Sequence, residues 1–279
     1  MLVKTRAVLQ EKLNALRKNG GTVGLVPTMG ALHKGHLSLV KRAVDENQTV
    51  VVSIFVNPTQ FNDPSDLKRY PRNLDADLQM LANIGCNIVF APEVNEIYPE
   101  PDNRSFDFGN LDKVMEGKHR KGHFNGVAQI VSILFELVKP DRAYFGQKDF
   151  QQLVIIKKLV SMLNLAIEII SCPTIREPGG LAMSSRNKLL SPKERKNAAL
   201  IFNTLKKANN LKGEKSVKDL IDWVIDTINN NPLLTVEYFE IVDDINLEPV
   251  TNWNDKHKKV ACIAVFCGNV RLIDNYVLN

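Results

Sequence analysis

Residues Thr49 to Val56 read TVVVSIFV, a run of β-branched and aromatic side chains with one small polar break. Such a run leaves no face for water. It suits a central strand of a parallel sheet, where both faces are buried, and a sheet of that kind needs helices on each side. The neighbouring sequence supplies them. Val23–Pro27 is a short apolar strand, and His33–Asn47 has helical spacing through Leu37, Val40 and Val44. Tyr70–Ile84 reads as a helix stopped by Gly85, and Asn87–Ala91 as a strand. Phe124–Val138 is a strongly apolar helix halted by Pro140, followed by strand Arg142–Gly146, helix Phe150–Leu163 and strand Ala166–Cys172. Strands alternating with helices predict an α/β fold, a Rossmann-like doubly wound parallel sheet.

The rhythm changes after Pro173. A loop rich in Gly and Ser, Glu177–Asn187, leads to helices near Pro192–Asn209 and Ser216–Asn230. Strand candidates follow at Thr235–Val242, Val260–Phe266 and Arg271–Val277. We therefore expect two domains, 1–173 and a smaller α+β domain, 174–279, with the Gly/Ser loop between them. A chain of 279 residues, 44% of them hydrophobic, can bury two such cores without disulfides or a metal. Cys86, Cys172, Cys262 and Cys267 are scattered and form no Cys-x-x-Cys, so free thiols are expected. Met1–Gly20 reads as an amphipathic helix rather than a signal peptide, and no apolar run reaches the ~18 residues a membrane span needs. Cytoplasmic location is the expectation. The net charge of +5 is spread over the chain, and no aromatic residues interleave the lysine clusters. Nucleic acid and membrane are thus not the expected partners. Small anions are.

The chemistry gathers at strand ends. Pro27-Thr28-Met29-Gly30-Ala31-Leu32-His33-Lys34-Gly35-His36 joins the first strand to a helix start, where a doubly wound sheet holds phosphate with backbone N–H groups and the helix dipole. The dinucleotide fingerprint is absent, and His-x-Gly-His stands in its place. Two imidazoles three residues apart share a helix face, and Gly35 clears space for a nucleotide. Zinc ligation is a weaker alternative because no Cys, Asp or Glu nearby completes a site; a helix cap plus a surface residue is another. Gly146-Gln147-Lys148-Asp149 sits at a second strand-to-helix junction, where Lys148 is either a phosphate contact or a surface lysine. Met183-Ser184-Ser185-Arg186 offers two hydroxyls and a guanidinium to a polyphosphate, or equally a Ser cap with a solvated Arg. Gln60 lies just past the buried strand at the same edge, and its amide can both donate and accept.

Together these segments resemble the adenylate-forming branch of the nucleotidyltransferases, and within it the pantoate–β-alanine ligase family. The likeness runs through Val26–His36, Phe55-Val56-Asn57-Pro58-Thr59-Gln60-Phe61, Tyr70-Pro71-Arg72, Gly122-His123-Phe124, Phe145–Gln152 and Leu181–Asn187, nearly the whole chain. It implies that ATP and pantoate form pantoyl adenylate and pyrophosphate, after which β-alanine attacks the acyl carbon to give pantothenate and AMP. It implies His36 as the catalytic proton donor or leaving-group stabiliser. ATP would be held by Met29, Gly30, Ala31, Leu32, His33, Lys34, Gly35, His36, Gly146, Gln147, Lys148, Asp149, Ile175, Met183, Ser184, Ser185 and Arg186. Gln60 and Gln152, with Asn57 as a helper, would hold pantoate and β-alanine. Mg²⁺ would accompany the phosphates, with no protein metal site assigned, and a homodimer is implied.

Asp75 and Asp77 could serve that Mg²⁺, though acids at a helix start are more often dipole partners. The second histidine pair, His119 and His123, reads as a basic turn with His123 near the substrate edge. Three positions depart from the family pattern: Gln147 for Glu, Lys121 for Pro and Gly180 for Asp. The rival readings are another nucleotidyltransferase, which would not need Gln60 and Gln152 at a second pocket, and a nucleic-acid-binding protein.

Overall fold

The β-branched run forms strand Thr49–Ile54, and its valines divide between two cores. Val51 joins an apolar cluster on one face of the sheet, while Val50 and Val52 join another on the opposite face. The computed structural model describes residues 1–18 and 20–279. In chain order the elements are β1 (Leu2–Val3), α1 (Arg6–Arg17), β2 (Val23–Thr28), α2 (Lys34–Glu46), β3 (Thr49–Ile54), α3 (Pro64–Arg69), α4 (Leu74–Asn83), β4 (Ile88–Phe90), α5 (Val94–Ile97), α6 (Met115–His119), α7 (His123–Val138), β5 (Arg142–Gly146), α8 (Phe150–Met162) and β6 (Glu168–Cys172). Then follow α9 (Pro192–Leu211), α10 (Val217–Asn229), β7 (Leu234–Asp243), β8 (Lys259–Cys267) and β9 (Val270–Leu278). The first sheet is wholly parallel in the order β1-β4-β3-β2-β5-β6. Its direction of winding reverses between β2 and β5, the place where such sheets open a crevice at the carboxyl ends of the strands.

Helix α7 is buried along almost its whole length between α1, α8 and the sheet, which explains its apolar character on every side. The second sheet is antiparallel, β7-β8-β9, and α9 and α10 cover one of its faces. Its other face meets the first body: Val242, Val260 and Cys262 cluster with Met115 and Val154. Helix α9 begins with a complete capping box between Ser191 and Glu194 and a proline in its first turn, the start signal its sequence carries.

Two expected elements are corrected. The chain does not begin in a helix. Leu2 and Val3 pair with Val89 and Phe90 at the sheet edge, and the helix starts only after Thr5 caps it by accepting from Val8 N–H. The helix expected over Tyr70–Ile84 starts at Leu74, capped by Asn73, because Pro71 holds Tyr70 extended (φ −60°, ψ 124°) and ends the preceding α3.

The 3-10 turn Pro58–Gln60 leaves β3 and rests on α7 at Gly126. A Cβ built there would stand 2.4 Å from the Thr59 carbonyl oxygen, and backbone cannot swing aside as a side chain can. The Gly126 carbonyl oxygen, on the same helix, also accepts from Asn57 Nδ2 at 3.0 Å. Gly126→Ala should therefore cost about 1–3 kcal/mol in urea unfolding. An unchanged unfolding midpoint would show that the turn can move away freely.

Candidate active site

The segment joining β2 to α2 crosses the crevice, and its shape is set by a residue far along the chain. Gly30 (φ +78°) and Ala31 (φ +50°) both adopt left-handed backbone, which costs a non-glycine residue about 1–2 kcal/mol. The Asp77 carboxylate offsets that cost. It accepts Ala31 N–H at 2.9 Å and Leu32 N–H at 2.8 Å, and each such charged bond contributes roughly 1.5–3 kcal/mol. Burial pushes the Asp77 carboxyl upward in pKa, and the two N–H bonds pull against that. These bonds correct several expectations. Asp77 is buried with both oxygens engaged, and Asp75 is exposed and outside the crevice, so neither is placed to serve Mg²⁺. Ala31 and Leu32 spend their N–H groups on Asp77 rather than on a nucleotide. Gly30, Ala31, Leu32, exposed Lys34 and exposed Gln147 do not line the cavity.

His33 caps α2, its Nδ1 accepting Gly35 N–H at 3.1 Å. Cap and cavity wall are the same residue, so the two readings of this histidine are not alternatives. The His33 and His36 rings stack with centroids 4.0 Å apart. A Cβ on Gly35 would lie 2.8 Å from His33 Cε1, so the glycine makes room for the first imidazole. Both rings are held neutral. Burial, with Lys148 adding repulsion, lowers His33 to about 4; burial, then His33 and Lys148, lowers His36 to about 3. His36 Nδ1 is buried without a hydrogen-bond partner among the described residues, an unmet polar group that an anionic ligand could satisfy.

These rings face a cavity of about 240 Å³. Met29, Gly35, Gly146, Lys148, Asp149, Ile175, Met183, Ser184, Ser185 and Arg186 also line it, as do Gln60, Gln152 and Asn57. Residues from the strand ends of the first sheet and from the loop after β6 thus converge. Ser184 caps the 3-10 turn Ser185–Leu189 by accepting Arg186 N–H at 3.2 Å, and Arg186 Nη2 pairs with Asp66 at 3.0 Å. Gln60 donates from Nε2 to Met29 Sδ at 3.1 Å and accepts from Asn57 Nδ2 at 3.2 Å. Asn57 itself is fully engaged, with Nδ2 on Gly126 O and Oδ1 receiving Tyr98 OH at 2.8 Å. It is a wall that orients Gln60 rather than a free ligand group. Gly180 is also structural, with φ +97° and Phe202 2.6 Å from any added Cβ.

Sequence reasoning missed two contributors, Asn275 and Arg120. Asn275 on β9 donates from Nδ2 to the carbonyls of Gln147 and Lys148, both at 2.8 Å, and so fixes the lysine's turn from the far end of the chain. Arg120 lines the cavity, as does Tyr70, which the sequence offered only as a motif position; Asp77, read as a Mg²⁺ candidate or a dipole partner, instead holds the Ala31–Leu32 turn. His123 donates from Nδ1–H to the Gln60 carbonyl at 2.8 Å, and its Nε2 accepts from Arg120 Nη1 at 3.1 Å. Its partner His119 stacks on Tyr238, centroids 5.4 Å apart, and stands 3.6 Å from Glu237.

The chain matches the family model described as pantoate-beta-alanine ligase over residues 1–277. It is 56% identical over 274 residues to a pantothenate synthetase of Bacteroides fragilis (strain YCH46), covering 98% of this chain and 97% of the relative. The pantothenate synthetase structure from Thermus thermophilus superposes with TM-score 0.92 at 41% identity, covering 99% of each chain. The Francisella tularensis pantoate-beta-alanine ligase, solved with beta-gamma ATP and beta-alanine, superposes with TM-score 0.83 at 36% identity, covering 99% of this chain and 97% of that one. The chain belongs to the pantoate–β-alanine ligase family.

Three histidines of the cavity wall make stability depend on pH. His33 (about 4), His36 (about 3) and His123 (about 4) titrate below the ordinary 6.5. Between pH 6.5 and about 4 the unfolded chain therefore binds protons that the folded chain refuses. Stability falls as pH drops through that window, by at most about 1.4 kcal/mol per pH unit for each histidine. Urea unfolding between pH 7 and 5 should show the loss, and His36→Gln should flatten the slope by about a third. A slope that this substitution leaves alone contradicts a neutral His36.

Proposed function

We propose that this pantoate–β-alanine ligase, which forms pantothenate from pantoate and β-alanine, runs its reaction in two steps within the 240 Å³ cavity. In the first, a pantoate carboxylate oxygen attacks the α-phosphorus of ATP in line, giving pantoyl adenylate and pyrophosphate. In the second, the β-alanine amine attacks the acyl carbon and AMP departs. The observation that carries this reading is the meeting of His33, His36 and Lys148 with Met183–Arg186 around one cavity that also presents Gln60 and Gln152.

The first step needs no strong base, since the attacking carboxylate is already ionised. It needs charge neutralised on the departing pyrophosphate. Lys148 and Arg186 supply positive charge, and Arg186 must exchange its Asp66 partner for phosphate. His36 acts as the leaving-group stabiliser through an N–H bond rather than as an acid, because burial keeps its ring neutral. The Gln60 and Gln152 amides read pantoate's hydroxyls. Ile175 and Met183 give the adenine an apolar contact, their backbones joined by Met183 N–H to Ile175 O at 2.9 Å.

Asp149 is the carboxylate on the cavity wall. It fits a Mg²⁺ ion carried in on the phosphates, which are the usual partners of that ion beside one or two carboxylates; when bound, the ion would neutralise phosphate charge. Residues 1–173 form the substrate-binding domain and 174–279 the lid in this reading. Four free cysteines suit a reducing cytoplasm, and the family likeness is the ground for a homodimer.

Pyrophosphate–ATP exchange tests the reading. Exchange should depend on pantoate and proceed without β-alanine; exchange without pantoate, or only with an amino acid, contradicts it. His36→Ala should lower kcat for adenylate formation by ~10²-fold or more. A rate near that of the unaltered protein would leave His36 a purely structural residue.

A further inference from the structure

Three anionic groups enter the proposed reaction, and the positive charges assigned so far answer only the first of them. The phosphates have His33, His36, Lys148 and Arg186. The pantoate carboxylate is the nucleophile, so a tight cationic partner would blunt it, and the Gln60 and Gln152 amides meet the hydroxyls instead. The carboxylate of β-alanine has no charged partner, since Gln60, which the family likeness also gives to β-alanine, offers only a neutral amide. It stays ionised throughout the second step and takes no part in bond making, so a permanent positive charge can hold it without hindering the amine.

One guanidinium on the cavity wall is free for that task. Arg120 lines the main cavity and also a side compartment of about 40 Å³, bounded by Glu116, Gln152, Tyr238 and Asp274. Among the described residues its fork makes a single hydrogen bond, from Nη1 to His123 Nε2. Glu116, the nearest acid, stands 3.7 Å away and is already spent: it receives both terminal nitrogens of Arg271, at 2.8 and 2.7 Å, and Tyr238 OH at 2.9 Å. A guanidinium fork with open N–H groups matches a carboxylate in a bidentate pair.

His123 aims that fork. A carbonyl oxygen can only accept, so the 2.8 Å contact with Gln60 O puts the ring's proton on Nδ1. In the neutral ring Nε2 is then an acceptor, and it receives Arg120 Nη1–H. One imidazole therefore ties the guanidinium to the backbone of the pantoate-reading Gln60. A doubly protonated ring would repel Arg120, and burial holds His123 at about 4, well below neutral pH.

We propose that Arg120, oriented by His123, binds the carboxylate of β-alanine and selects this amine over amines that lack a carboxylate. This assignment rests on the two-step reading of the reaction. Arg120→Gln and Arg120→Lys in the full chain test it, assayed with β-alanine and with β-alaninamide, whose amide replaces the carboxylate. The unaltered protein should favour β-alanine strongly. Arg120→Gln should lower kcat/KM for β-alanine by at least about 30-fold, bring the two amines to near parity, and affect pantoate-dependent pyrophosphate–ATP exchange far less. Arg120→Lys should restore part of the preference, which a variant that merely misfolds would not do. A preference for β-alanine that survives in Arg120→Gln overturns the proposal. So does a rise in the KM for ATP or pantoate in exchange that matches the loss with β-alanine, which would move Arg120 to the first step. Absence of pantoate-dependent exchange in the unaltered protein is a different failure, that of the two-step reading itself.

Discussion

The two hydrogen bonds from Ala31 and Leu32 to Asp77 hold the rest of the site in place. Without them, the loop keeps only the bond from Gly30 N–H to Thr28 Oγ1 at 3.2 Å, nothing offsets the left-handed backbone at Ala31, and His33 loses its position as the cap of α2. The stacked imidazoles follow from that cap, since Gly35 N–H on His33 Nδ1 fixes one ring and the helix fixes the other. Asp77 is placed by α4, which lies on the α2 face of the sheet. The crevice at the switch point is thus shaped by packing before any ligand arrives. A ligand meeting such a site incurs little ordering cost.

Charge is organised along a second line that crosses between the two sheets. Glu116 on α6 meets Arg271 on β9 and Tyr238 on β7, and Arg271 also bonds Glu237. Burial, the largest single influence on the Glu116 carboxyl, would raise it, yet bonds from Arg271 and Tyr238 hold it at about 2. A buried pair of this kind is weak evidence for stability, because desolvation consumes much of the attraction. Its use here is geometric: it joins the second body to α6, whose last turn leads directly to Arg120. Asn275 makes the matching tie on the other side, to the turn carrying Lys148. Arg120 and Lys148, both facing the cavity, are therefore each supported from the C-terminal sheet.

The parallel sheet was legible because TVVVSIFV has no polar face and the flanking helices have 3.6-residue periodicity. The β7-β8-β9 strands were legible for the same kind of reason, their bounds shifting by a residue or so. The N-terminal edge strand was not, since two residues carry no period and are a strand only because β4 lies beside them. Of the site, the strand-end motifs announced themselves by position. Asp77, Asn275 and Arg120 did not. Asp77 looks like any acid in a first helical turn, and only the fold brings it to residues some 45 positions away. Arg120 sits in a lysine-rich turn that reads as solvated surface, and its cavity position follows from burial between α6 and α7. Ala31 and Leu32 read as ATP contacts because a Gly-rich strand-to-helix turn commonly offers its N–H groups to phosphate, and nothing local shows that a carboxylate has taken them.

A site shaped by Asp77 before ligand binding makes a claim about two backbone amides. Hydrogen exchange of the ligand-free protein, resolved at Ala31 and Leu32, reads it directly. If Asp77 holds the loop, both amides exchange as slowly as those inside β2, and adding ATP with pantoate changes them little. If they exchange like exposed loop amides until ligands are added, the ligands build the loop, and Asp77 is not what shapes the site.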